Sequence, residues 1–326
     1  MREASQIRIG LLNNLRAGRS NAQVGRLLRF LKRHPEVAHV ETDSAGAVPE
    51  ALAELARREV DLLVVNGGDG TIQHALSEVL SGDEFAGRIP MVAPLRGGRT
   101  NMSALDLGTH RDAIRGMANL INAVKGGVLE QRIVRRHVLR VEYGRQRDVL
   151  YGMFFGAGML QRAIELTMRV FPTGRSQGAF GATLVTANLI ARAALMGDTE
   201  GVLEPDKIDV LLDGEPIDRG EFSLLMTSTL YRLFARMRPF WGRGSGGVRF
   251  TSVAAGAEQL WRAAPGILRG RPGSAVREEN GYTSRNVKCA ELRMDCGFTV
   301  DGELVAGEPG RILKITADNV VRFVRA

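Results

Sequence analysis

The sequence is poor in cysteine, and this scarcity excludes a framework of disulfides. Cys289 and Cys296 are the only two cysteines among 326 residues, and they lack the spacing of a zinc site. A chain with so few thiols fits a cytoplasmic setting. Because 44% of the residues are hydrophobic, we expect the fold to depend on buried apolar cores.

Long apolar runs are also missing. The best candidate, residues 180–197, contains Asn188 and Arg192 and is barely as long as the roughly 20 residues that a membrane span needs. We therefore expect a buried helix there. The first twenty residues carry no long apolar segment before a cleavage-like site, so we expect no signal peptide and a cytoplasmic protein.

Acidic residues are outnumbered by basic ones. The 44 Lys and Arg against 36 Asp and Glu give a formal net charge of +8. Such a balance favours an anionic partner, which is a nucleotide, a nucleic acid or an anionic lipid surface. The charge is spread along the chain and no aromatic RNA-binding motif accompanies it, so we expect no nucleic acid partner.

Hydrophobic periodicity predicts two domains. Apolar runs at residues 7–13, 37–42, 61–66 and 89–94 alternate with helical spacing between them, which is typical of a parallel sheet covered by helices. From residue 132 onward, short strands and turns predict a largely antiparallel domain. We expect an α/β fold with a Rossmann-like three-layer domain over residues 1–131 and a β-sandwich domain over residues 132–310. Residues 311–326 are predicted to return to the first domain as a strand.

The stretch "NGGDGT" at residues 66–71 follows the third predicted strand and precedes a predicted helix. Gly67, Gly68 and Gly70 have no Cβ, so the backbone can approach a ligand closely. A helix that opens at Thr71 offers free N–H groups to a phosphate. Asp69 could accept a proton from an attacking hydroxyl or help to hold magnesium. The plain alternative is a glycine-rich turn capped by an Asp; the strand and helix around it favour function.

This stretch resembles the signature of the diacylglycerol kinase and sphingosine kinase catalytic family, within a wider superfamily that includes NAD kinases. The Walker pattern GxxxxGK[ST] is absent, which argues against a P-loop enzyme. The resemblance implies a lipid kinase that uses ATP and Mg²⁺. It would transfer the γ-phosphoryl group to a hydroxyl of a diacylglycerol-like or sphingoid lipid.

Two further stretches resemble nucleotide-contacting segments of that family. "LLNNLRAGRS" is similar to the opening turn, and "PLRGGRTNMSALDLG" follows the fourth predicted strand. Arg99 and Met102 depart from the usual Thr and Asp, and Asp106 could replace the missing carboxylate one helical turn later. Together with the "GGDGT" residues Gly67, Gly68, Gly70 and Thr71, the resemblance implies nucleotide contacts from Asn14, Arg16, Gly18, Arg19, Thr42, Gly98, Arg99, Thr100 and Asn101.

The tripeptide Asp-Gly-Glu occurs twice. The copy at residues 301–303 resembles the closing motif of the family, and the copy at residues 213–215 is interpreted as a hairpin turn. The resemblance implies that Asp301 and Glu303 come back over the nucleotide site. We therefore take Asp69 as the first choice for the catalytic base and Asp301 as the second, with Glu303 beside it. The ligands of the metal stay unassigned.

Arginines interleave with apolar residues over positions 230–243. This pattern suits the interface of an anionic bilayer, where the segment would dock the protein and pass a lipid to the cleft. The alternative is an ordinary core helix or strand whose Arg side chains snorkel. The expected partners are thus a lipid acceptor and an anionic membrane at the inner surface, and a homodimer is left open.

Two other functions stay open at this point. A NAD kinase would need a polar acceptor site shaped for adenosine. A lipid- or nucleotide-binding protein without activity is favoured by Arg99, Met102 and His74, which stand where relatives carry other residues. The intact glycines of residues 67–70 and the second Asp-Gly-Glu argue against the inactive protein.

Overall fold

The computed structural model describes residues 7–16, 21–82, 84–85, 87–98, 100–144, 146, 148–170 and 204–326. Gly18, Arg19, Arg99 and the helix expected over residues 180–197 lie outside them. None of the helices within these ranges combines the length and the hydropathy that a membrane span requires.

The chain forms two compact units. The first unit comprises the residues up to Arg136 together with Val320–Ala326, and the second comprises His137–Asn319. The last strand of the chain runs from the second unit into the first, so the first unit is completed by residues from both ends of the described chain.

The first unit is built on a parallel sheet. Its own strands are β1 (Ile9–Asn14), β2 (Ala38–Thr42), β3 (Leu62–Gly67) and β4 (Met91–Arg96). They are ordered β4-β3-β1-β2, and the end of the last strand adds to β4 through Phe323 opposite Val92. All six residues of β3 are buried, which is expected of a strand covered on both faces.

Helices cover both faces of this sheet. They are α1 (Asn21–Leu31), α2 (Val48–Arg57), α3 (Asp69–Ser81), α4 (Met102–Asp106) and α5 (Ala113–Lys125). Leu27 of α1 and Leu120 of α5 share one buried cluster with Leu11 of β1. A Cβ on the neighbouring Gly10 would stand 3.1 Å from Leu55 of α2, so α2 packs on the other face. The predicted three-layer α/β arrangement is confirmed.

The second unit is antiparallel. Its strands are β5 (Ile133–Tyr143), β6 (Asp148–Gly152), β7 (Phe154–Gly158), β8 (Asp206–Leu212), β9 (Glu215–Pro216), β10 (Glu221–Ser228), β11 (Val248–Ala254), β12 (Tyr282–Val287), β13 (Cys289–Met294), β14 (Phe298–Val300), β15 (Glu303–Val305) and the start of β16 (Arg311–Val324). Phe155, Phe250 and Phe298 share one buried cluster with Leu139 and Leu292, so the strands enclose a common core. The predicted antiparallel second domain is confirmed.

Helices are few in the described part of this unit. They are α6 (Met159–Val170) and α7 (Leu260–Leu268). Neither α7 nor strand β12 is predicted from the sequence. Residues 230–243 form neither the helix nor the strand that the alternative interpretation expects, since they follow an irregular path with one short 3-10 turn at Phe234–Arg236.

Candidate active site

The carboxyl ends of the parallel strands meet at one edge of the first unit. Asn14 lies opposite Thr42, and Gly67 lies opposite Arg96. Open parallel sheets bind ligands at this edge. The structure therefore brings together the predicted contacts Asn14, Thr42, Gly67, Gly68, Gly70, Thr71, Gly98, Thr100 and Asn101.

Two glycine loops pack directly on each other at this edge. The N–H of Gly97 donates to the carbonyl of Gly67 over 3.1 Å. A Cβ on Gly98 would stand only 2.2 Å from the Cα of Gly68, and one on Gly97 would stand 2.5 Å from the nitrogen of Gly67. Gly97 and Gly98 are therefore required by contact with the first loop, whatever they also allow a ligand to do. A Cβ on Gly68 would stand 3.4 Å from the Cα of Gly98, which is an ordinary contact distance.

The carboxylate of Asp69 ties these loops to helix α4. One oxygen accepts from the N–H of Met102 over 2.9 Å and the other from the N–H of Ser103 over 3.0 Å. The side chain is buried, and burial raises the pKa of Asp69 although both backbone donors act against the rise. We call a carboxylate that holds two consecutive backbone N–H groups a backbone clamp.

The two helix N-termini at this edge differ in whether a side chain occupies their first backbone N–H groups. Helix α4 has its first N–H groups occupied by Asp69. Helix α3 starts after Gly68 without any side-chain cap. An uncapped N-terminus favours an anion, because its N–H groups lack partners within the helix and the helix dipole is positive there. Helix α3 is thus the better phosphate site.

Asparagine side chains hold the surrounding loops in place. Asn101 has left-handed backbone angles, and its amide both donates to the carbonyl of Gly98 (2.7 Å) and accepts from its N–H (2.8 Å). Asn14 donates to the hydroxyl of Thr71 over 2.8 Å and accepts from the N–H of Arg16 over 2.9 Å. The side-chain amides of both predicted contact residues therefore make hydrogen bonds within the site, and these bonds fix the shape of the loops that a ligand would meet.

Arg96 is a charged residue at this edge that the sequence reasoning missed. It ends β4, and burial together with the nearby charge of Arg111 lowers the pKa of Arg96. Its Nε is buried without a hydrogen-bond partner among the described residues. Two neighbouring guanidinium groups favour an anion between or beside them. Its position as the last residue of a strand before a Gly-Gly pair is the signal that could have found it.

The departures at Met102 and Asp106 also have a structural place. Met102 is buried, and its N–H serves the Asp69 clamp. Asp106 lies 3.4 Å from Arg136, with only 2% of its side chain exposed. Because it is paired and enclosed, Asp106 is poorly placed to replace the carboxylate that is missing at position 102.

The closing Asp-Gly-Glu of the second unit is a tight hairpin turn. Asp301 and Gly302 both have positive φ, and they join β14 to β15. The two oxygens of Asp301 accept from the N–H groups of Met153 and Phe154, each over 2.9 Å. Asp301 is buried and is therefore a second backbone clamp, whereas Glu303 is exposed.

The other Asp-Gly-Glu copy folds in the same way. Asp213 and Gly214 again have positive φ and join β8 to β9. A single oxygen of Asp213 accepts from the N–H groups of Lys288 and Cys289, each over 2.8 Å, at an exposed position. Its interpretation as a hairpin turn agrees with this geometry.

A preformed metal centre is not part of the described structure. No group of three or more His, Cys, Asp or Glu side chains stands close enough to hold a cation among those residues. Mg²⁺ usually keeps several waters and binds through substrate phosphates with one or two carboxylates. The donor set therefore fits a cation that arrives on a nucleotide, with few protein ligands of its own.

Comparison with known families agrees with the motif analysis. Residues 8–131 match the model of the diacylglycerol kinase catalytic domain. This range holds strands β1–β4, both glycine loops and Asp69, so the predicted resemblance to that family is confirmed there. Such a domain indicates a kinase of the lipid class and implies a nucleotide substrate. A search of curated proteins gives no match.

Solved structures share the architecture of both units. A diacylglycerol kinase from Bacillus anthracis str. Sterne is 15% identical with a TM-score of 0.62, and the alignment covers 98% of each chain. A provisionally assigned diacylglycerol kinase from the same organism is 15% identical with a TM-score of 0.66, over 98% of this chain and 97% of that one. At this identity the likeness shows the fold alone.

Proposed function

We propose that a chain whose residues 8–131 carry a diacylglycerol kinase catalytic domain is an ATP-dependent lipid kinase. It transfers the γ-phosphoryl group of MgATP to a hydroxyl of a diacylglycerol-like or sphingoid lipid. The observation that carries the proposal is the uncapped N-terminus of α3, set beside two interlocked glycine loops within the matched range. Phosphoryl transfer needs mainly positioning and neutralised charge, and this edge supplies both.

The nucleotide phosphates would lie against the start of α3. The N–H groups of Gly70 and Thr71 point out of that helix end, and Arg96 adds positive charge from the end of β4. The other predicted contacts, among them Arg16, Thr42 and Thr100, border the same edge. When ATP is bound, Mg²⁺ supplies charge neutralisation on its phosphates, and Asp69 acts mainly by fixing the loops.

Glu303 is the best candidate for the base. A base needs a carboxylate oxygen that an acceptor hydroxyl can reach. Asp69 and Asp301 are both buried, and each has both oxygens bonded to backbone N–H groups. Glu303 is exposed, directly after the turn that Asp301 holds. We therefore assign proton acceptance to Glu303 and positioning to Asp301.

The second unit offers a partly apolar pocket for part of the acceptor. It has a volume of about 520 Å³, and its walls include Met159, Ala254, Ala257 and Leu260 together with the polar residues Ser223, Gln259 and Arg262. Met159 belongs to the glycine-rich stretch at residues 154–165, which resembles the opening of the acceptor pocket in the family. A pocket of this size with apolar walls on one part suits acyl chain segments.

A transfer assay tests the proposal. The protein is incubated with Mg²⁺ and γ-labelled ATP against membrane lipid extracts and NAD, with Glu303→Gln alongside. Because the amide of this variant cannot accept the proton of the lipid hydroxyl, turnover should fall by about 10²–10⁴-fold. Glu215→Gln is the matched control, because it changes the same residue of the same tripeptide in an equally exposed turn.

The outcomes separate the candidate functions. A labelled lipid that is lost in Glu303→Gln and kept in Glu215→Gln supports the lipid kinase. Label on NAD would identify a NAD kinase instead. Nucleotide binding without any transfer would favour the inactive binding protein. Full turnover of Glu303→Gln would reject the assignment of the base.

A further inference from the structure

Seven arginines and no acidic residue occur in two segments of the second unit. The segments are residues 230–243 and 260–272, and the arginines are Arg232, Arg236, Arg238, Arg243, Arg262, Arg269 and Arg271. All seven are exposed. We call the surface formed by these two segments the arginine surface. Such a density of one sign attracts anionic partners.

The two segments adjoin each other. The N–H of Arg238 donates to the carbonyl of Leu268 at the end of α7 over 2.8 Å. A groove of about 690 Å³ runs between the segments, with Arg236, Arg238, Arg269 and Arg271 along its walls. The arginines that are distant in sequence therefore act on the same space.

Large apolar side chains stand among these arginines. Trp261 is 50% exposed and Leu268 is 39% exposed, and both line the groove. Only Ile267 of helix α7 is buried. A short helix that leaves its Trp and a Leu in solvent, with basic residues on either side, matches the composition of an interfacial membrane segment.

We propose that the arginine surface docks the protein on an anionic phospholipid bilayer. Trp261 and Leu268 would enter the headgroup region while the arginines meet lipid phosphates. This inference rests on the proposed function to the extent that a lipid kinase must reach its acceptor in a membrane. It refines the sequence prediction, which placed the contact in residues 230–243 alone and did not include α7.

Buried contacts anchor the two segments that form the arginine surface, so we expect variants of its exposed residues to fold. Leu230 and Leu233 are buried, and the hydroxyl of Thr251 donates to the carbonyl of Pro239 over 2.7 Å. Trp241 packs against the buried cluster of Val253, Ile267 and Tyr282. Replacement of Trp241 would disturb that core, so tests of docking use other residues.

Vesicle co-sedimentation tests the proposal. The full chain is mixed with phosphatidylcholine vesicles and with vesicles that also contain phosphatidylglycerol. We expect binding only to the anionic vesicles, and weaker binding at high salt. Arg269→Gln/Arg271→Gln should weaken partitioning about 30-fold, at roughly fivefold for each arginine. Arg57→Gln/Arg115→Gln is the matched control, since it removes the same charge from exposed positions of the first unit.

A second variant tests the apolar part of the surface. Trp261→Ser should weaken partitioning about tenfold, because the indole no longer leaves water. Ile312→Ser is its control, since Ile312 is 63% exposed outside the surface. Equal losses in the charge variant and its control would overturn the proposal, and so would binding that is indifferent to the anionic lipid. Capture of an acidic protein or nucleic acid in place of vesicles would overturn it as well.

Failure of docking and failure of the kinase proposal are distinguishable. With a short-chain diacylglycerol in neutral detergent micelles, Arg269→Gln/Arg271→Gln should phosphorylate as fast as the unaltered protein. If Arg269→Gln/Arg271→Gln phosphorylates the lipid and binds vesicles as well as the unaltered protein does, the docking proposal is rejected and the kinase proposal stands. Specific loss of vesicle binding by a protein that phosphorylates no lipid would keep the surface and reject the kinase.

Discussion

Asp69 in the first unit and Asp301 in the second use the same device in two unrelated settings. Each buried carboxylate gives one oxygen to each of two consecutive backbone N–H groups, at positions 102–103 and 153–154. Asp69 begins a helix, whereas Asp301 sits in a two-residue hairpin turn. Both clamps join segments that are far apart in sequence, so both are part of the folded framework.

The difference lies in what accompanies each clamp. Asp301 is followed two residues later by Glu303, an exposed carboxylate, so this turn has one acid bonded to the backbone and another that is open to solvent. The "GGDGT" stretch has a single acid, and that acid is the clamp. The place of a carboxylate in a signature motif therefore does not make it a base. Its hydrogen bonds determine whether an oxygen is available to accept a proton.

The largest stability effect is expected from removal of the clamp in the second unit. Asp301→Ala leaves the N–H groups of Met153 and Phe154 buried without acceptors, which should lower the free energy of unfolding by about 2–5 kcal/mol. Urea denaturation of the purified protein measures it. Gly152 supports this role, because a Cβ there would stand 2.7 Å from an oxygen of Asp301.

Asp213→Ala is the matched comparison for Asp301→Ala. It removes the same residue from the same kind of turn, but the two N–H groups that it releases lie at an exposed position and can bond to water. We expect a loss under about 1 kcal/mol. Similar losses for both variants would mean that burial does not separate the two turns.

A smaller effect is expected at the clamp of the first unit. Asp69→Asn keeps one acceptor oxygen and points an amide NH₂ at the other backbone N–H, which should cost about 1–3 kcal/mol. Amide hydrogen exchange should quicken at Met102 and Ser103 before it does elsewhere. Unchanged exchange at both amides, together with lost turnover, would restore Asp69 as the candidate base.

The smallest expected effect is a slope in stability with pH. Burial raises the pKa of folded Asp69 above its unfolded value. The stabilisation of the neutral acid is fully present below the unfolded pKa near 4 and is lost as pH rises through the folded pKa. The unfolding free energy of the unaltered protein, minus that of Asp69→Asn, should therefore fall as pH rises from about 4. A difference that rises with pH would show that the two N–H donors outweigh burial.

Much of the first unit is predictable from its sequence. The apolar runs locate β1, β3 and β4 to within two residues at each end, because strands buried on both faces consist of little else. The carboxyl-end rule then places Asn14, Thr42 and the "GGDGT" stretch at one edge. These signals are local, because each depends on a short stretch of sequence and not on contacts between distant residues.

The hydrogen bonds that decide the roles of the residues are not predictable in this way. Asp69 reaches across 33 residues to Met102, and Asp301 across 148 residues to Met153. Such partners follow from the tertiary arrangement. The sequence alone therefore does not distinguish an Asp that is bonded to backbone N–H groups from an acidic residue that is exposed to a substrate. Helix α7 also escapes prediction, since its nine residues include a Pro and its apolar side chains partly face solvent.

The contact between Gly68 and Gly98 has a consequence for how related sequences can vary. A Cβ on Gly98 would stand 2.2 Å from the Cα of Gly68, whereas one on Gly68 would stand 3.4 Å from the Cα of Gly98. Position 98 therefore cannot gain a side chain unless the loop at Gly68 retreats, while position 68 has room for a methyl group. Related sequences that replace the residue at position 98 are expected to have a longer or displaced loop after β4, and those that replace only the residue at position 68 are not.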